Sequence, residues 1–214
     1  MIKFSNTNYY GNETGLACKI GHIFQKTRHD FIFLTNIFDE IPELDRGKCI
    51  LKSNPKTFIL SSETGVTIDF DAGYSVPLRE SEVRLRFKNK HSAFVYLTSS
   101  TTYSLAIEKI REQLYSFWKR KGYIEDVTNY CLINTLLEAE AGKILFAKCN
   151  NTSITLGHSE GKPVTSLEGL IDAKVGITRD ASSVGIIDTS YINQPIVQMV
   201  RWYKKYKRMK FRFV

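Results

Sequence analysis

One stretch, Thr102 to Gly122 (TYSLAIEKIREQLYSFWKRKG), carries a helical period, and strand-like alternation lies on both sides of it. Tyr103, Ile107, Ile110, Leu114 and Phe117 recur at spacings of four, three, four and three, which puts them on one face of a 3.6-residue period. Glu108, Arg111, Glu112 and Lys119 fall largely on the other face. Thr101, Thr102 or Ser104 supplies an N-cap oxygen, and Glu108 sits near the positive end of the dipole. Lys119, Arg120 and Lys121 crowd the last turn, and Gly122 suits the left-handed position beyond it. Dipole complementation accounts for that basic end better than an anion site does. One helix among many strands predicts an α+β fold: a twisted, mainly antiparallel sheet of roughly seven to ten strands with one main amphipathic helix at about 102–122.

The strands are read from period-two alternation. Val66, Ile68 and Phe70 alternate with Thr67, Asp69 and Asp71, and Val83, Leu85 and Phe87 with Arg84, Arg86 and Lys88. Paired, these two strands would bring the acids against the bases. Asn89-Lys90-His91 reads as a hairpin turn into the strand SAFVYLTS. Tyr130–Leu137 and Lys143–Cys149 read as strands on either side of a hairpin at EAEAG. Thr57–Leu60, Thr152–Leu156 and Val184–Asp188 are shorter strands, and Leu167 to Thr178 alternates over about eleven residues, long for a globular strand. The small Gly169 and Ala173 on that strand suggest close packing, with the Phe117–Trp118 end of the helix as one candidate neighbour. Phe31–Phe38 (FIFLTNIF) reads as a buried strand; Leu16, Ile20, Ile23 and Phe24 suit a short helix; IPELDRG is a connector around Pro42 and Gly47. After Pro195 the run IVQMVRWY fits a strand or a helix, with strand favoured because it returns to the sheet.

A chain of 214 residues that is 43% hydrophobic has material for a full core, so residues 1–214 are expected to form a single domain. No stretch approaches the roughly 18 apolar residues of a membrane helix, and the N-terminus has no apolar leader, so a cytoplasmic protein is expected. Cys18, Cys49, Cys131 and Cys149 form no C-x-x-C pair and read as buried reduced thiols, with Cys131 and Cys149 inside apolar strand-like runs.

Catalytic patterns stand out nowhere, and no cofactor is implied. Arg28-His29-Asp30 has catalytic residue types without catalytic context, and His22 and His29, seven apart, would share a helix face as a bare minimum for a metal. GHSEGK (157–162) lacks phosphate-loop spacing and reads as a turn. Asp69, Asp71, Glu138 and Glu140 fit solvent-facing strand positions better than a nuclease site. No catalytic or metal-ligating residue is therefore assigned, and the balance is against an enzyme.

The strongest functional signal is the basic and aromatic C-terminal segment, 201–214. Arg201, Lys204, Lys205, Lys207, Arg208, Lys210 and Arg212 carry nearly all of the net charge of +8, and Trp202, Tyr203 and Tyr206 are interleaved with them. Such a mixture suits an anionic membrane surface, single-stranded nucleic acid, or an acidic protein partner.

From GVTIDFDA through SEVRLRF, AFVYL, the helix and NYCLINTLLEAEAGKILFA to QPIVQMVRWYKK, residues 60 to 205 resemble uncharacterised bacterial α+β proteins of the same strand–helix–strand pattern. The layout is also distantly similar to bacterial gasdermins, compact α+β proteins that unfurl long amphipathic strands into membrane pores. That resemblance implies a pore-forming effector of cell suicide. The leading expectation is a non-enzymatic, sheet-rich interaction protein of a bacterial defence or toxin assembly, with a protein partner or self-association. Membrane attack and nucleic-acid binding through the tail are the alternatives.

Overall fold

The computed structural model describes residues 1–12, 17–28, 30–62, 65–69, 82–123, 129–158, 175–179, 183–189, 195–205 and 208–213. Strands β1 (Ile2–Lys3), β2 (Tyr9–Gly11), β3 (His22–Lys26) and β4 (Phe31–Asn36) precede two one-turn helices, α1 (Ile37–Glu40) and α2 (Arg46–Cys49). Strands β5 (Ile50–Lys52), β6 (Lys56–Ser61), β7 (Val66–Asp69), β8 (Glu82–Phe87) and β9 (Ala93–Leu105) lead to a 3-10 turn, Ile107–Ile110, and then α3 (Arg111–Arg120). The chain finishes in β10 (Tyr130–Glu138), β11 (Ala141–Ala147), β12 (Thr152–His158), β13 (Val175–Arg179), β14 (Val184–Asp188), β15 (Ile196–Lys205) and β16 (Arg208–Phe213). The fold is α+β and antiparallel, as expected, but it holds more strands than expected and divides them between a large curled sheet and a four-stranded one.

The large sheet is built on four long ribbons. β9 is the second of them. Along one edge of β9, Ser104 faces Thr135, Thr101 faces Glu138, Thr98 faces Ala141 and Ala93 faces Phe146. That is one register running unbroken from β10 into β11, so those two strands are a single ribbon interrupted at Ala139–Glu140. Along the other edge, β5 and β6 also act as one ribbon: Ile50 faces Leu105, Phe58 faces Leu97 and Ser61 faces Phe94. β14 and β15 form the fourth, with Val184 opposite Ala147 and Ile196 opposite Leu137.

Two neighbouring ribbons depart from regular strand geometry at adjacent positions. In β9 the break falls at Ser99, whose φ is 45°, and in the third ribbon at Gly142, whose φ is 152°. Side-chain hydroxyls bond to the backbone around this break. Ser100 Oγ donates to the Lys56 carbonyl at 2.7 Å, Thr98 Oγ1 to the Ala141 carbonyl at 3.1 Å, and Thr189 Oγ1 to the Gly142 carbonyl at 3.1 Å. Ser53 Oγ accepts from the Thr102 N–H at 3.0 Å. The Gly142 carbonyl also accepts from the Thr189 N–H at 3.2 Å, so there the hydroxyl adds to a backbone bond.

The smaller sheet, in the order β13-β12-β8-β7, is made from the chain between ribbons. β7 and β8 lie between the first and second ribbons, and β12 and β13 between the third and fourth. The two inserts meet through the β8–β12 ladder, Thr152 opposite Phe87 to Gly157 opposite Glu82. Val83, Leu85, Phe87, Ile154 and Leu156 pack against Phe94, Tyr96, Leu145 and Val184 of the ribbons. At the other half of the sheet, Ile110, Leu114, Phe117 and Trp118 cover Cys131, Leu132 and Ile133. Leu114 and Trp118 are wholly buried, each contributing about 1.5–3 kcal/mol.

Several local expectations are corrected. Residues 102–105 belong to β9, not to the helix, because Lys52 and Leu136 pair with Tyr103 from both edges. The helix therefore starts without the expected hydroxyl cap; Ile110 stands at its N-cap, with no side-chain bond. Its end is as expected, with Gly122 at φ 72°. The turn at 89–91 is not a hairpin: β8 and β9 lie in different sheets, and His91, at φ 62°, carries the chain from one to the other. EAEAG is not a hairpin either, since β10 and β11 run end to end. FIFLTNIF is cut by Asn36, whose Oδ1 accepts from the Phe38 N–H at 3.0 Å and starts α1. What remains of it is an edge strand with Ile32 and Phe33 half exposed. Ile23 and Phe24 lie on β3 rather than a helix, and Asp45 Oδ1 turns the IPELDRG connector into the cap of α2. Cys18, Cys49 and Cys131 are buried free thiols, but Cys149 is exposed in the turn after β11. Leu16, Phe70 and the 167–174 part of the long alternating run, including Gly169 and Ala173, lie outside the described residues.

Two outcomes follow from this packing. A Cβ on Gly142 would overlap the Tyr96 carbonyl oxygen and lie 2.8 Å from Leu97 Cα. Gly142→Ala should therefore lose about 2–3 kcal/mol in a urea unfolding titration. His22 is buried, and its Nδ1 accepts from the Lys19 N–H at 3.3 Å. Burial first, then Lys19 and Arg46 against Asp39, holds its pKa below the ordinary 6.5. The unfolded chain thus takes up the proton more readily. Its contribution to stability is full above about pH 6.5 and is lost as pH falls below it. Unfolding midpoints measured from pH 7.5 to 5 should show a decline that His22→Asn reduces.

Candidate functional site

The basic C-terminal segment is not a tail. β15 extends the fourth ribbon beyond the sheet and β16 returns along it, with Val200 opposite Phe213, Arg201 opposite Arg212, Trp202 opposite Phe211, Tyr203 opposite Lys210, Lys204 opposite Met209 and Lys205 opposite Arg208. In an antiparallel ladder, opposed residues share a face and successive residues alternate. Arg201, Tyr203, Lys205, Arg208, Lys210 and Arg212 therefore occupy one face. Val200, Trp202, Lys204, Met209, Phe211 and Phe213 occupy the other. The fold collects five of the seven expected bases on one face, with Tyr203, and sets Lys204 apart on the face of Trp202. Tyr206 and Lys207 lie outside the described residues. The signal for this sorting was the strict alternation Arg208-Met209-Lys210-Phe211-Arg212-Phe213, which the reading of a mixed tail passed over.

The basic face continues into the body of the protein. Lys3 is held below its ordinary pKa by burial and then by the charges of Lys26 and Arg201. Its ammonium lies 5.8 Å from the Tyr10 ring centre. Burial pushes the Tyr10 hydroxyl up to about 12 and the Cys131 thiol up to about 11, with Arg201 opposing both. Neither group ionises near neutral pH. The local field is set by Lys3, Lys26 and Arg201.

Other sequence candidates resolve into structure. Lys121 Nζ binds Glu40 Oε2 at 2.9 Å, Thr35 Oγ1 donates to Glu40 Oε1 at 3.0 Å, and Arg120 donates to the Glu40 carbonyl at 3.5 Å. The hydrogen bond from Lys121 is the main reason the Glu40 carboxyl sits below its usual range. The basic helix end is engaged with this acid. Asp69 Oδ2 meets Arg86 Nε at 2.7 Å, the cross-strand pair the alternation predicted, worth about 0–1 kcal/mol. Asp30 and Thr27 close the β3–β4 turn, the Asp30 N–H donating to Thr27 Oγ1 at 2.9 Å. His22 lies on β3 with its ring 4.7 Å from that of Phe33. His29, Asp71 and 159–162 lie outside the described residues. Among the described residues no three His, Cys, Asp or Glu side chains come together as a metal site, and no helix is long and apolar enough to cross a membrane.

Arg201 opposite Arg212 and Lys205 opposite Arg208 are like charges in directly opposed positions, which destabilise a ladder. Arg208→Glu replaces one repulsion with an attraction. Amide exchange across 201–212 should slow by roughly two- to fivefold at low salt, and the gain should fade at molar salt. Unchanged exchange would show that the register does not set these charges against each other. The chain matches no protein-family model, and no curated protein matches it in sequence.

Proposed function

We propose that this chain is a membrane-attacking, pore-forming effector similar in layout to the bacterial gasdermins, cytosolic in a bacterium until it meets the bilayer. The observation that carries the reading is the placement of the inserts. Each of two long antiparallel ribbon pairs is bridged at the same end by a short amphipathic hairpin, β7–β8 or β12–β13. Straightening an insert into its ribbons would lengthen those ribbons; each insert ladder is offset from its ribbons by two residues, which keeps every side chain on its own face. A barrel strand needs about 9–11 residues alternating between lipid and lumen. The inserts have that alternation: Val66 and Ile68 against Thr67 and Asp69, Val83, Leu85 and Phe87 against Arg84 and Arg86, Ile154 and Leu156 against Ser153 and Thr155. The apolar set faces the second core in the folded protein and would face acyl chains after extension. The basic hairpin supplies electrostatic attraction to anionic headgroups, about 1 kcal/mol per base near the surface.

A second reading, the non-enzymatic interaction protein, has an observation of its own. The outer edge of the β5–β6 ribbon has no partner among the described residues, and Leu51 and Ile59 on it are 54% and 44% exposed. Such an edge accepts a strand from a second copy or from another protein. Nucleic-acid binding has only the basic face in its favour.

Dye release from anionic liposomes separates the two. Thr67→Glu, on the polar face, should leave release intact, whereas Ile68→Glu, one residue away on the apolar face, should abolish it while vesicle binding persists. A lysine or arginine at the midplane of the lipid face costs about 2–4 kcal/mol and a glutamate less, a cost repeated in every protomer of a barrel. No release from anionic liposomes by the wild type, or equal release by both variants, would end the pore reading and leave the interaction protein.

A further inference from the structure

The polar face of the small sheet carries a cleft that neither reading uses. It has a volume of about 560 Å³, within the usual size of a small-molecule site, and is lined by Thr67, Arg84, Arg86, Lys88, Asn151 and Ser153. The register explains why these residues meet. Arg86 stands opposite Thr67 on one side and Ser153 on the other, and Arg84 opposite Asp69 and Thr155. Even-numbered positions of β8 share a face, so its arginines and the following Lys88 converge across three strands. The odd-numbered Val83, Leu85 and Phe87 anchor the same strand in the second core.

The lining is rich in donors and poor in acceptors. Asp69 engages Arg86 through Nε and fixes the guanidinium against the sheet. Arg84 and Lys88 have no ion-pair partner among the described residues. Guanidinium groups match phosphate oxygens bidentately, lysine adds a point charge, and hydroxyl and amide donors fill the remaining lone pairs. A monocarboxylate would leave part of this charge unmatched; a phosphate dianion or polyphosphate would not.

We propose that this cleft binds a phosphate-bearing ligand, held by Arg84, Arg86 and Lys88 with Thr67, Asn151 and Ser153 as supporting polar groups. The ligand would span both inserts, since β8 belongs to one and the Asn151–Ser153 segment to the other. Binding would hold the β8–β12 ladder closed by linkage. The site stands without the pore reading; with it, the ligand is an inhibitor of extension.

The test is calorimetric titration of the full chain with pyrophosphate and with inositol hexakisphosphate, and vesicle flotation with phosphorylated inositol headgroups. Two variants are compared: Arg84→Gln/Lys88→Gln in the cleft, and Lys205→Gln/Arg208→Gln/Lys210→Gln in the hairpin, each checked for native circular dichroism. The cleft variant should bind soluble ligand about tenfold more weakly or worse, and the hairpin variant as the wild type does. Capture on vesicles that needs the cleft, without soluble binding, assigns the site to a lipid headgroup; soluble binding assigns it to a free phosphate. Binding that survives the cleft variant and fails in the hairpin variant overturns the proposal, as does a wild type that takes up none of the three.

Discussion

The break shared by β9 and its neighbour, the β10–β11 ribbon, is the constraint on which the rest of the molecule depends. A long antiparallel sheet cannot bend sharply and keep every ladder bond. Here Ser53, Thr98, Ser100 and Thr189 bond to the backbone around the break at 2.7–3.1 Å. Each such bond contributes only about 1 kcal/mol net. The hydroxyls therefore permit the bend more than they drive it. What drives it is burial on both sides: helix α3 against one half of the sheet, the inserts against the other. Because β9 keeps one register with β10 and β11 through the break, the two halves are not independent. A slip of one residue in β9 would turn Val95 and Leu97 out of their core and Phe94 and Tyr96 out of theirs.

Much of this was written in local sequence. The alternation of Val83, Leu85 and Phe87 with Arg84 and Arg86 gives β8 and its two faces directly, and even the Asp69–Arg86 pair could be anticipated. Leu114, Phe117 and Gly122 likewise place the body and end of the helix. The start of the helix is not legible locally because Thr102–Leu105 satisfies either period, and only pairing on both edges decides for strand. The turns at 89–91 and 139–142 escape local sequence for a different reason. Neighbouring strands usually pair, and nothing local reveals that β9 is shared by β6 and β11 while β8 departs to another sheet. In the C-terminal segment the residue types were legible and their geometry was not. Gathering five bases on one face, away from Trp202, Phe211 and Phe213, requires the register that sets Arg201 against Arg212.

That sorting changes the physical meaning of the charge. On a solvated tail, seven bases would adopt whatever separation minimises their repulsion. In a paired hairpin, Arg201 and Arg212, and Lys205 and Arg208, are held opposite one another, with Lys3 and Lys26 close to Arg201. The ladder contributes backbone bonds and the charges oppose them. An anionic surface brought against this face would relieve that opposition.

The two inserts raise the matching question of what must break for the ribbons to lengthen. Their contacts with the large sheet are between side chains: Leu85, Phe87, Ile154 and Leu156 against Phe94, Tyr96 and Leu145. Apolar burial of this kind is lost on exposure to water and restored in a hydrocarbon interior, so a bilayer offsets it. The β8–β12 ladder is different. Its backbone bonds join one insert to the other, and extension into separate hairpins must exchange every one of them. Packing thus holds the inserts down in water but loses its hold at a membrane, whereas the ladder resists extension in both environments. The rate of any such extension is set at β8 and β12, the two strands whose polar faces meet along the cationic cleft.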